Sequence, residues 1–89
     1  MTDRAVAIFK RNVRARLDHL GVTGYHVAVA TDHHKTWISQ VLLRGGDGIQ
    51  IGVIDDISEA LGVPAREMVS DEFASEDWPF PRWHEGGDR

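Results

Sequence analysis

Eighty-nine residues carrying 42% hydrophobic side chains can build one compact domain, and they leave no room for a large enzyme cleft. There is no cysteine, which excludes disulfides and thiolate zinc sites as staples for so small a fold. The net charge of −4 resides entirely in the tail: residues 1–70 balance eight basic against eight acidic side chains, whereas residues 71–89 carry six acids against Arg82 and Arg89.

The first predicted element is a helix opened by Thr2 as N-cap, with Asp3 in its first turn. Val6, Phe9, Val13, Leu17 and Leu20 recur at helical spacing, and Gly21 stops the chain. Lys10, Arg11, Arg14 and Arg16 flank this stripe and read mainly as a solvated face. A second helix is expected over about Thr23–Ala30 and a third over about His34–Leu43, sharing the apolar set Val22, Val27, Ile38 and Val41. Arg44-Gly-Gly-Asp-Gly48 is loop composition. Beyond it, Ile49–Val53 alternates like a strand, while Ile51, Ile54, Ile57 and Leu61 share a helical face opposite Asp55, Asp56 and Glu59. The helical pattern is longer, so a fourth helix is expected over Ile51–Leu61, ended by Gly62. Pro64 suits the first turn of a short fifth helix, PAREMV. The remainder changes character, with Phe73, Trp78, Phe80 and Trp83 among acids and prolines. Folding back on the core, mediating dimerisation or partner binding, and disorder are its three readings, the last the weakest because each aromatic buries much area when docked.

Two segments carry a resemblance to a known family. GVTGYHVAVATDHHKTWISQV resembles the Cro/CI-type (lambda-repressor-like, XRE) helix-turn-helix family, whose Gly-Leu-Ser start, helix-2 alanine and helix-3 Ile-Ser fall here at Gly21, Val22, Thr23, Ala28, Ile38 and Ser39. ISEALGVPAREMV is similar to that family's closing turn and last helix. The resemblance spans roughly Phe9 to Val69. It implies an all-α, five-helix lambda-repressor-like domain over 1–70, followed by an acidic, aromatic, proline-containing extension over 71–89. Three departures stand out: Asp32 replaces the turn glycine, Gly24 replaces a frequent DNA-touching glutamine, and Gly48 and Gly52 weaken the start of helix 4.

The resemblance places Lys35, Thr36, Trp37 and Gln40 at base-facing positions of helix 3, with His34 at its start and Arg44 near phosphate. The residue types suit those places. A glutamine amide pairs bidentately with adenine, lysine reaches guanine or phosphate, and threonine or tryptophan touches a thymine methyl. Thr23 caps helix 2, where a backbone amide can also hold phosphate. Trp37 reads equally well as a packing or protein-contact residue. His26, His33, His34 and Asp32 match no metal-ligand spacing and instead would add positive charge as pH falls. No nucleophile–base constellation is present, and Gly45-Gly-Asp-Gly48 lacks the lysine of a phosphate loop, so neither an enzyme nor a cofactor is expected.

The implied function is sequence-specific binding of double-stranded operator DNA by a small, cytoplasmic, repressor- or Cro-like regulator of phage or mobile-element type, acting as a homodimer. The rival is a helix-turn-helix scaffold used as a protein-interaction module, an anti-repressor or modulator of a host protein, engaging its partner through Trp37 or the Trp78/Phe80/Trp83 tail. No apolar run reaches the ~20 residues of a membrane helix, and the N-terminus lacks a signal-peptide pattern.

Overall fold

The computed structural model describes residues 3–43 and 49–84. Five α-helices follow one another: α1 Asp3–Leu20, α2 Gly24–Ala30, α3 Trp37–Leu43, α4 Ile51–Leu61 and α5 Ala65–Met68. A 3-10 turn at Ser75–Asp77 comes last, and no strand occurs among the described residues. The protein is therefore all-α, and no described helix is long and apolar enough to cross a membrane. The expected cap Thr2 and the expected loop over residues 44–48, Arg44 included, lie outside the described residues.

Helical periodicity explains the core. Val6, Phe9, Val13 and Leu20 of α1 meet Val27 of α2, Ile38 and Val41 of α3, Ile54, Ile57 and Leu61 of α4, and Met68 of α5. Each large apolar side chain so buried contributes about 1.5–3 kcal/mol. The α2 helix packs on α3 and α4 on α5, while α1 runs against α5 and the 3-10 turn.

Three helices end in one and the same way. Gly21 N–H donates to Asp18 and Val22 N–H to Leu17; Asp32 donates to Val29 and His33 to Ala28; Gly62 donates to Glu59 and Val63 to Ser58. This paired closure needs a left-handed residue just past the helix, and φ is 69°, 60° and 74° at Gly21, Asp32 and Gly62. Asp32 alone meets that demand with a Cβ, against a steric penalty. Asp32→Gly is accordingly expected to raise stability by about 0.5–1 kcal/mol, the relieved strain exceeding glycine's added chain entropy. Urea unfolding would show it as a midpoint shifted upward; an unchanged or lowered midpoint contradicts it.

Three expectations are corrected. The third helix starts at Trp37, not His34, because His34 and Thr36 close a local turn in place of a first helical turn. The His34 Nδ1 accepts the Thr36 N–H at 3.3 Å and meets Thr36 Oγ1 at 2.9 Å. The ladder then begins where Gln40 N–H donates to the Thr36 carbonyl. Secondly, Ile51 is 73% exposed rather than on the core face. Ile49, just before the Gln50 N-cap, is buried instead and with Ile54 takes the two positions of a hydrophobic staple.

The third correction is Arg16. Its side chain is completely buried, 0% exposed, on the same face as Phe9 and Val13. Its Nε donates to the Leu61 carbonyl at 3.0 Å, its Nη1 to the Ser75 carbonyl (2.9 Å), Ser75 Oγ (3.0 Å) and the Trp78 carbonyl (3.0 Å), and its Nη2 to the Pro79 carbonyl (2.6 Å). Burial pushes its pKa below the ordinary guanidinium range. No described carboxylate neutralises it, so carbonyl dipoles hold the charge.

The segment after α5 is thereby pinned across α1 and α4. Phe73, Trp78 and Trp83 pack against the core. Asn12 Nδ2 donates to the Met68 and Ser70 carbonyls at 3.1 and 2.8 Å. The Trp83 indole donates to the Ala60 carbonyl at 2.6 Å, and His84 Nε2 donates to the Leu20 carbonyl at 2.6 Å. The Leu20, Ala60 and Met68 carbonyls lie at the ends of α1, α4 and α5, where the intrahelical ladder has run out of donors. Side chains distant in sequence supply what each helix end lacks. Asp71 also pairs with Arg4 at 2.5 Å and with Arg11 at 3.4 Å.

Candidate nucleic-acid interface

The α2–α3 pair is built from a tight contact at its opening. Thr23 caps α2, its Oγ1 accepting the His26 N–H at 3.2 Å. A Cβ placed on Gly24 would lie 3.1 Å from both Cβ and Cγ2 of Ile38. The glycine thus replaces the expected glutamine for a packing reason: it lets α2 approach α3. Ile38 is fully buried and β-branched, so it cannot rotate away. Gly24→Ala is expected to lose about 1 kcal/mol net of its better helix propensity, read as a lowered melting temperature. A more stable variant would show that the α2–α3 contact is slack.

Between the helices, the Thr31 hydroxyl donates to the Val27 carbonyl at 2.8 Å and faces His33 Nδ1 at 2.9 Å. With its proton committed to Val27, Thr31 accepts, so His33 carries hydrogen on Nδ1. The His33 ring stacks on Trp37 at 3.6 Å between centroids and 8° between planes. Trp37 is half-buried and packs against the core, which is the packing alternative that the sequence left open for it. His34 has the other tautomer, since its Nδ1 accepts from the Thr36 amide, leaving Nε2–H as a donor.

The solvent face of α3 presents Ser39, Gln40 and Leu43, with Lys35 and Thr36 leading into it. Gln40 and Lys35 are exposed, and their side chains have no hydrogen-bond or ionic partner among the described residues. The Ser39 hydroxyl is turned back onto the Thr36 carbonyl at 3.0 Å. Of the residues singled out from sequence, the structure places His34, Lys35, Thr36 and Gln40 along one short surface run, with Thr23 at the opening of α2. Trp37 lies behind that run. Arg44 falls outside the described residues.

Sequence reasoning missed Asn12 and Arg16, yet a signal existed. Both fall inside the helical stripe of Phe9, Val13 and Leu20, where a polar residue demands a buried partner. Among the described residues no group of three or more histidines or carboxylates is arranged to hold a metal. No family model, curated protein or solved structure matches this chain.

Proposed function

We propose that this protein is a sequence-specific double-stranded DNA-binding regulator of the lambda-repressor-like helix-turn-helix class, acting by operator occupancy. One observation carries the reading. Gln40 stands exposed, with no partner among the described residues, on a helix whose opposite side, Ile38 and Val41, is locked into the core. A rigidly held helix presenting a free carboxamide is suited to bidentate recognition of adenine in the major groove. Lys35 supplies a cation at the entry to that helix, and His34 Nε2–H is a further donor beside it.

The electrostatics demand that specific contacts do most of the work. Arg16 is internal, and Arg4 and Arg11 are tied to Asp71, so these three basic side chains of α1 offer phosphate little. A single recognition helix on such a body gives weak binding, and a homodimer across half-sites about 34 Å apart supplies the missing contacts.

A second reading, a protein-interaction module on the same scaffold, is favoured by Tyr25 and Val29. They are 60% and 58% exposed and stand one turn apart on α2. Selection from a random DNA pool at low and moderate salt separates the two. An enriched motif whose affinity falls steeply with salt supports the regulator. Absence of any enriched sequence at low salt rejects it in favour of the module.

A further inference from the structure

A groove of about 290 Å³ opens between the α2–α3 turn, α4 and the C-terminal segment, lined by Thr31, His33, Asp56, Glu59, Ala60 and Trp83. None of the residues proposed to read DNA lines it. Its walls are acidic and aromatic, and no lysine or arginine among the described residues lines it. Asp56 and Glu59 stand three residues apart on α4, exposed, with no ionic partner among the described residues.

Both sides of the groove are fixed without help from a ligand. Trp83 is held by its hydrogen bond to Ala60 and by its ring against His26, 5.6 Å between centroids. Opposite, Thr31 is bonded to Val27, and His33 to Thr31 and onto Trp37. This preorganisation lowers the ordering cost of binding.

The lining selects the ligand. An anion meets two carboxylates and is repelled. A purely apolar group would strip those carboxylates of water without return. A cation satisfies them, and a planar guanidinium does so best, because it forks onto a carboxylate while its face lies on an indole. An ammonium offers a point charge without that planar fit. We propose that this groove receives an arginine side chain presented by a partner protein. The exposed rim of His33, Asp56 and Glu59 admits a side chain reaching in from another surface, and the volume suits one side chain, not a folded segment. The chain's net charge of −4 steers a basic partner toward it.

The test uses the full chain, isotopically labelled, and the probe N-acetyl-Gly-Arg-Gly-amide, followed by amide and indole NMR at constant ionic strength. The expected result is saturable shifts of the Thr31, His33, Glu59 and Ala60 amides and the Trp83 indole N–H. The same peptide with citrulline, which keeps the shape and loses the charge, should produce none, and the lysine peptide should bind more weakly. The double variant Asp56→Asn/Glu59→Gln should weaken the arginine peptide about tenfold while its remaining spectrum stays in place. Four results overturn the proposal: no saturable shift up to about 50 mM peptide, equal response to citrulline or lysine, shifts centred away from the groove, or groove shifts produced by raising protein concentration alone. The last would make a second copy of the chain the occupant.

Discussion

Arg16→Ala should cost about 3–5 kcal/mol and release the segment beyond α5 from the helices, the largest stability effect expected of any substitution discussed for this chain. The side chain joins Leu61, Ser75, Trp78 and Pro79, so its loss leaves four buried or half-buried carbonyls without their donor and a void where the guanidinium stood. An unmet buried acceptor costs about 1–3 kcal/mol. Water entering the gap recovers part of that, which keeps the total below a simple sum. Against a typical domain stability of about 5–15 kcal/mol the loss is severe. Arg16→Lys should rescue little, because one ammonium cannot span Leu61 on one side and Pro79 on the other. Arg16→Met keeps the volume and still orphans the carbonyls. Urea unfolding gives the energy, and tryptophan emission gives the location: Trp78 and Trp83 should shift to the red in mild denaturant before helicity falls. A midpoint within about 1 kcal/mol of the parent, with unchanged emission, would show that the clamp is dispensable.

Gln40→Ala is expected to cost about 1–3 kcal/mol of DNA affinity, confined to one base position of each half-site. Its stability should move by less than about 0.5 kcal/mol, since the side chain is exposed and has no partner among the described residues. Fluorescence anisotropy on the selected operator and its single-base variants makes the comparison. The parent should discriminate at the Gln40 position and the variant should bind all four bases there alike. Lys35→Ala provides the contrast: uniform loss across sequences, with the salt slope reduced by about one. If Gln40→Ala weakens every sequence equally, the carboxamide is not reading a base and the α3 face must be reassigned.

Helix identities and ends were largely legible in the sequence because they rest on local rules. Gly21 and Gly62 mark left-handed closures, Thr23 caps α2, and the apolar spacing of α1 and α4 has a helical period. Errors arose where a tertiary contact overrode a local one. Ile51 and Ile49 compete for one core position, and the staple geometry before α4 favours Ile49. His34 looks like a helix start but spends its ring on Thr36, delaying α3 by one turn. Arg16 was read as surface because arginine usually is, although it lies two turns from Phe9 and must share its side of α1. For the candidate site, the exposed Gln40 and Lys35 were legible from spacing. Packing of Trp37 was one of the readings the sequence allowed, whereas the acidic groove was not legible, because it is assembled by residues from separate elements, up to 52 positions apart in the chain.

The Arg16 clamp also bears on how the protein comes into being. Synthesis runs from the N-terminus, so α1 emerges with its cation long before its partners: Leu61 lies 45 positions downstream, and Ser75 and Pro79 lie 59 and 63. Once α4 and α5 are made the apolar contacts of α1 are available, yet closing the core then would seal the charge with only the Leu61 carbonyl to accept from it. The nascent helices therefore stay in a loosened, hydrated arrangement until residues 75–79 arrive, and a ribosome-bound chain halted before Ser75 should remain sensitive to protease. One arginine makes the arrival of residues 75–79 the step that permits the interior to dry.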